Sequence, residues 1–287
     1  MELAVATLVN ALALSSIYIV VALGFVLIFS ILNILNIAHG AIYMISGYLG
    51  WQLVMGFGLN QWLGLLLTVL IVGAFGIFLE KFCFRPQAGD FNRTLIVCVA
   101  IVMILQQTIV ITVGYKVQSL PAFASGLLTA GPLSVSAERL VTFLISAALL
   151  AVIVWLINRT KLGQQIQAIA QNREGASLQG ININRISGLT CAMGCGLAAV
   201  AGCLMGAYLN LGAFMGDYIL VKALMIVILS GIGSIGGIFF AGLIIGTLDA
   251  TLPVFLSGAI SQAIAVGIIV IVMVFRPRGF FGREMEM

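Results

Sequence analysis

Nine apolar runs, at residues 8–30, 34–56, 62–80, 94–114, 139–157, 188–210, 219–233, 238–253 and 259–275, leave almost nothing between them that would coat a water-soluble core. A helix needs about 20 apolar residues to cross the hydrocarbon of a bilayer. The runs are continuous rather than alternating in segments of about 10 residues, so they predict helices and not the strands of a barrel. Charged residues make up 8% of the chain, where a soluble domain carries about 25%, so lipid must be the solvent for most of the surface. The expected fold is all-α, a polytopic transmembrane helical bundle with about 8–9 spans. Residues 1–287 are expected to form a single transmembrane domain.

The span count turns on residues 219–253. The runs 219–233 and 238–253 are short, and 231–237 between them reads Gly-Ile-Gly-Ser-Ile-Gly-Gly. They form either two short crossings or one broken, re-entrant element. The basic residues help to orient the chain. They gather at Lys81, Arg85 and Arg93, within 159–185, and at Arg276, Arg278 and Arg283. Positively charged loops stay in the cytoplasm. Two crossings between the first two groups and an even number between the last two keep all three inside, with the N-terminus outside and the C-terminus cytoplasmic. The start, MELAVATLVNALALSS, has no basic n-region, so no cleaved signal peptide is expected.

One polar segment interrupts this pattern. Residues 159–185 read RTKLGQQIQAIAQNREGASLQGININR, with Arg159, Lys161, Arg173 and Arg185 set against a single acid, Glu174. Residues 164–171 can form a short helix. A polar stretch of this length between spans is either a solvated connector or a surface offered to a soluble partner.

Four further features have both a bland and a functional reading. Gly194, Ala198, Gly202 and Gly206 recur at four-residue intervals, as do Gly242, Gly246 and Ala250. Such stripes let helix backbones touch, and packing within one subunit is the simpler use. Asn33, Asn36 and His39 recur every third residue and would share one broad helical face beside Gly40. Polar groups at membrane depth face a partner or a cavity, so this is a hydrogen-bonded cluster, a polar turn or part of a translocation path. In 231–237, Gly231, Gly233, Ser234, Gly236 and Gly237 make a tight turn or a gate; no Gly-Lys-Ser/Thr follows, so there is no P-loop. Asp217, Lys222 and Asp249 fall towards the outer face, where Lys222 either snorkels to water or pairs with an aspartate. The five cysteines include no C-x-x-C pair and read as apolar packing residues. No catalytic constellation or metal cluster is expected, and no basic–aromatic interleaving marks a nucleic-acid surface.

These residues together resemble the permease subunits of branched-chain amino acid ABC importers, a group that includes urea and related small-solute permeases. The likeness runs nearly end to end. Residues 36–40, Asn-Ile-Ala-His-Gly, resemble the family's N-x-A-H-G signature. Residues 170–181 resemble the loop that ABC permeases offer to their ATPase, with Glu174, Ala176 and Gly180 on its Glu-Ala-Ala-x-x-x-Gly pattern and Gly175 replacing the middle alanine. Residues 231–237 and the tail 276–283 match as well. One departure is Ala41, where many relatives carry an acid, so the solute is free to differ.

The resemblance implies a transport subunit with no ATP site or cofactor of its own, in a bacterial inner membrane. It implies two cytoplasmic ATPases that hold ATP and Mg, a second and non-identical permease, and a periplasmic solute-binding protein. The ATPases would engage the coupling segment 159–187 through Arg173, Glu174, Gly175, Ala176, Leu178 and Gly180. Ile169 and Leu178 would dock in an ATPase groove while polar neighbours stay wet. Asn33, Asn36, His39, Gly40 and the 231–237 turn would line the path. The competing reading is a self-sufficient channel or ion-coupled carrier, which would need ionisable groups deep in the bundle.

Overall fold

The computed structural model describes residues 2–130, 133–231, 234–276 and 279–281. Eleven helices carry the chain: α1 (Glu2–Leu32), α2 (Ala38–Trp51), α3 (Gln61–Leu79), α4 (Phe91–Thr112), α5 (Ala137–Arg159), α6 (Lys161–Gln171), α7 (Arg173–Leu178), α8 (Ile183–Tyr208), α9 (Met215–Ser230), α10 (Ile235–Phe255) and α11 (Gly258–Phe275). Single π-helical turns extend α2 over Gln52–Gly56 and α3 over Glu80–Phe84. A short antiparallel hairpin, β1 (Leu127–Ala130) with β2 (Leu133–Ser136), precedes α5.

Among the described residues, six helical stretches are long and apolar enough to cross a membrane: α1, α3 with its extension to Gln87, α4, α5, α8 and α10. The others are shorter, at 14 residues for α2, 16 for α9 and 18 for α11. The helix α9 ends at Ser230 and α10 begins at Ile235, and the two pack against each other, so 219–253 holds two helices. The run 34–56 is less than it reads, because residues 33–37 are not helical. Asn33 ends α1 in the left-handed region, at φ 53°, which asparagine tolerates better than most residues. The chain then doubles back, and His39 Nε2 lies 3.2 Å from the Val21 carbonyl oxygen. Val21 is 11 residues before the end of α1, or about 16 Å at 1.5 Å per residue. So α2 begins part-way down α1, and the irregular backbone before it is enclosed by protein, as apolar surroundings require.

The bundle is organised around α1 and α8, which are buried along nearly their whole length. Glycines let their neighbours approach to backbone contact. A Cβ on Gly24 would meet the Gly194 carbonyl oxygen at 2.7 Å and His39 Cε1 at 3.2 Å. Gly202 lies against the Tyr43 carbonyl of α2, while Gly242 and Gly246 lie against Ile19 and Ser15 of α1. Both small-residue stripes are thus consumed by packing inside this subunit. Four of the cysteines are buried and all five are free, with Cys195 filling the gap opposite Gly76.

The pairings 242 with 19 and 246 with 15 run α10 antiparallel to α1. The turn before α10 therefore lies at the same end of the bundle as the C-terminus of α1. Arg85 donates to the Asn184 carbonyl at 3.1 Å, which brings the 80–90 turn to the start of α8 at that end too. Among the described residues, Lys81, Arg85, Arg93, Arg159, Lys161, Arg173, Arg185 and Arg276 gather there. Arg278 and Arg283 lie outside the described residues.

Gly40 and Gly216 mark where α2 and α9 cross, and a Cβ on either would overlap the other's backbone. Gly40→Leu is expected to force these helices apart, at a cost of about 1–3 kcal/mol or more from overpacking. Detergent-solubilised protein should then melt several degrees lower or elute as aggregate. An unchanged melting curve would show that the crossing is not close.

Candidate coupling surface and translocation elements

The polar segment folds as a helical hairpin docked outside the bundle. Thr160 begins α6, its hydroxyl accepting from the Gly163 amide at 3.2 Å, and Asn172 begins α7 in the same way, accepting from Gly175 at 2.8 Å. These caps satisfy amides that the first turn leaves unpaired. Gly180 ends α7 at φ 80°. Its amide donates to the Ser177 carbonyl and the Ile181 amide to the Ala176 carbonyl, at 3.0 and 3.1 Å. That pair of bonds is the Schellman closure, which favours glycine at the left-handed position.

The hairpin is amphipathic, and its apolar face is already used. Ile166, Ile169 and Ala176 bury themselves against Ile31 at the end of α1 and Ile186 at the start of α8. Ile169 is therefore not available to an outside groove, because its surface is spent on this chain's own helices. Leu178 is the opposite case, 90% exposed at the end of α7. Arg173 and Glu174 beside it are exposed, Gly175 is half-buried, and Gly180 is exposed. The hairpin thus presents one bare leucine with polar neighbours, and grips the two helices that run through the centre of the bundle.

The 33–40 segment is split by the break before α2. Asn33 is exposed at the end of α1, whereas Asn36 and His39 are 1% and 0% exposed. Asn36 Oδ1 faces Cys98 Sγ of α4 at 3.8 Å, and His39 donates from Nε2 to Val21. Phe25 meets the imidazole edge-on. Asn36 Nδ2 and His39 Nδ1 have no hydrogen-bond partner among the described residues. Ala41, next to this cluster, is buried, so an acid there would need a partner.

In the 231–237 turn, Gly231 ends α9 at φ 82° and Ser234 caps α10, its hydroxyl accepting from the Gly237 amide at 3.0 Å. Gly237 lies against the Ser230 carbonyl, while Gly236 faces open space. Gly233 lies outside the described residues. The tail returns to this turn: Phe280 and Phe281 donate their amides to the Leu229 and Ser230 carbonyls at 2.9 and 3.1 Å, and Gly279 packs on Gly231. Two segments that are distant in sequence therefore form one unit.

The trio of ionisable residues separates. Lys222 Nζ and Asp249 Oδ1 form an ion pair at 2.6 Å, with the side chains 1% and 9% exposed. Tyr18 and Tyr218 donate to Asp249 Oδ2 at 2.9 and 3.4 Å. Asp217 stands apart and accepts from Gln106 at 2.7 Å. A buried pair of this kind adds little net stability, but removing one partner costs about 3–5 kcal/mol. Sequence reasoning reached Lys222 and Asp249 but not the tyrosines, because Tyr18 belongs to an uninterrupted apolar run 231 residues from Asp249. A cavity of 230 Å³ opens beside Asp249. A second, of 590 Å³, lies between α2 and α4, without charged residues in its wall.

These features define a multi-pass helical membrane protein with a hairpin docked at its basic end. The chain belongs to the family described as branched-chain amino acid transport system / permease component, whose model matches residues 7–275. It is 30% identical to the high-affinity branched-chain amino acid transport system permease protein BraD of Pseudomonas aeruginosa, covering 96% of this chain and 95% of that one. It is 28% identical to the corresponding protein LivH of Escherichia coli K12, covering 96% and 94%. The solved structure titled PsaBC from Streptococcus pneumoniae in complex with Fab shares the fold, with a TM-score of 0.54 at 16% identity over 95% of this chain and 92% of that one.

Ile169→Asp should detach the hairpin from α1 and α8, since it puts a charge into an apolar contact. Amide hydrogen exchange would then rise across 161–181 and stay unchanged in the spans. Equal protection in the variant would show that the docking is not held by this contact.

Proposed function

We propose that this chain is the permease subunit of an ATP-driven ABC importer for branched-chain amino acids or a similar small solute, in a bacterial inner membrane. The observation that carries the reading is the hairpin α6–α7, with one apolar face clamped on the central helices and Leu178 left bare. A cytoplasmic ATPase that grips Leu178, with Arg173 and Glu174 at the rim, pulls on α1 and α8 together. That is the mechanical need of an importer whose energy comes from outside the membrane, because packed helices shift between discrete arrangements and do not bend continuously. Within 159–187 the gripping surface is Leu178 with its polar neighbours, while Ala176 and Gly180 shape it from behind.

The assembly contains two such ATPases, which hold ATP and Mg, a second and non-identical permease, and a periplasmic solute-binding protein. All nine apolar helices, α1 to α5 and α8 to α11, cross or enter the bilayer, and the basic end faces the cytoplasm together with the C-terminus. The path runs beside the broken start of α2, at Asn36, His39 and Gly40, and the 231–237 turn moves with α9 and α10.

The test is affinity purification of the tagged chain from its native membrane, comparing wild type with Leu178→Asp. ATPases and a second permease should accompany the wild type. The variant should keep the second permease, lose most of the ATPase and lose uptake. A wild-type chain that purifies alone and transports when reconstituted would be a channel or carrier, and full ATPase retention by the variant would remove the coupling role from Leu178.

A further inference from the structure

We propose that the cavity beside Asp249 is a solute subsite, in which the Asp249 carboxylate receives the ammonium group of a zwitterionic amino acid. The proposal rests on the importer reading and adds where within this subunit the solute is held. The cavity measures 230 Å³ and is lined by Tyr18, Tyr43, Tyr218, Asn210 and Asp249 together with apolar residues that include Leu14, Met215 and Ile219. Pockets for drug-sized ligands run from about 300 to 1,000 Å³, so a free amino acid is the size that suits this one.

The charge arrangement selects the class of ligand. Asp249 is balanced by Lys222, which lies behind the wall and 5.2 Å from the centre of the Tyr218 ring. The site is thus neutral overall but holds separated charges. A ligand with net charge would bring an uncompensated charge into a buried place, whereas a zwitterion brings both signs at once.

The hydrogen bonds show where the ammonium enters. A carboxylate has about four lone-pair sites. Lys222 occupies one on Oδ1, and Tyr18 holds Oδ2 at 2.9 Å. The Tyr218 bond to Oδ2 is long at 3.4 Å, and Tyr218 is 43% exposed, while Tyr18 is 3% exposed. Tyr218 is therefore the partner that yields. Its hydroxyl turns away to donate to the solute carboxylate, and the ammonium takes its place on Oδ2. The aliphatic side chain of the solute then lies against Leu14, Met215 and Ile219, where a flexible methionine adapts to branching.

The proposal is tested on the full complex in nanodiscs, without the solute-binding protein, by ligand-observed saturation-transfer NMR with L-leucine and with 4-methylpentanoate, which is leucine without its ammonium. In wild type, 4-methylpentanoate should bind about tenfold more weakly than leucine or worse, the loss of one charge-assisted contact. Lys222→Met/Asp249→Asn removes both charges together and leaves an amide oxygen to accept from the buried Tyr18 hydroxyl. It should melt close to wild type yet bind leucine about tenfold more weakly or not at all. A purely structural ion pair predicts instead that the double variant folds and binds leucine as wild type does, and that result overturns the proposal. So does equal binding of the two ligands to wild type, a measurement that needs no variant. Normal ATP-driven leucine uptake by a wild-type complex that shows no leucine in the nanodisc assay sinks the subsite alone. A wild-type complex that imports no amino acid sinks the importer reading beneath it.

Discussion

The contact on which the rest of the structure depends is the one among Gly24, His39 and Gly194, where α1, α2 and α8 come together with almost no side chain between them. In lipid there is no hydrophobic gain from helix association, so close van der Waals contact has to hold helices together. Removing the side chain at Gly24 and Gly194 brings the two long central helices close enough for that contact. The same contact places His39 where its imidazole reaches the Val21 carbonyl. The break at residues 34–37 is tolerated because this packing largely encloses it, since unpaired backbone groups cannot face hydrocarbon.

The docking of the α6–α7 hairpin follows from the same axis. Its isoleucines bury themselves on the ends of α1 and α8, which are the two most enclosed helices in the bundle. The hairpin is therefore seated on the centre of the bundle and not on a peripheral helix. The Schellman closure at Gly180 ends α7, and side-chain caps at Thr160 and Asn172 begin α6 and α7. At the same end of the bundle, Phe280 and Phe281 hydrogen-bond back onto the end of α9.

Much of the fold was legible in the chain because apolar length is a direct physical requirement of the bilayer. The helices α3, α4, α5, α8 and α11 begin and end within a few residues of the corresponding runs. The start of α2 was not legible. Residues 34–37 are as apolar as a span, apart from Asn36, and hydropathy alone cannot separate a helix from an enclosed turn. The likeness of Asn33, Asn36 and His39 in spacing suggested a common face, but that spacing matters only on a helix, and here the helix starts after Asn36. In the coupling segment the pattern of polar and apolar residues was clear, yet Ile169 and Leu178 read alike, and only the packing separates the one that is spent from the one that is free.

The sequence by itself determined that this chain lives in lipid as a helical bundle, carries one long polar segment between spans, and keeps its basic residues in a few places, because each follows from local composition and the cost of burying charge. It also carried the family likeness, through short motifs that survive in order. The tertiary structure decided which polar groups meet. Lys222 and Asp249 are 27 residues apart, and Tyr18 reaches them from the other end of the chain. No local pattern encodes such a meeting, since a buried charge is stabilised by whatever partner the packing brings within a few ångströms, and that partner is chosen by how helices cross rather than by where residues stand in the chain.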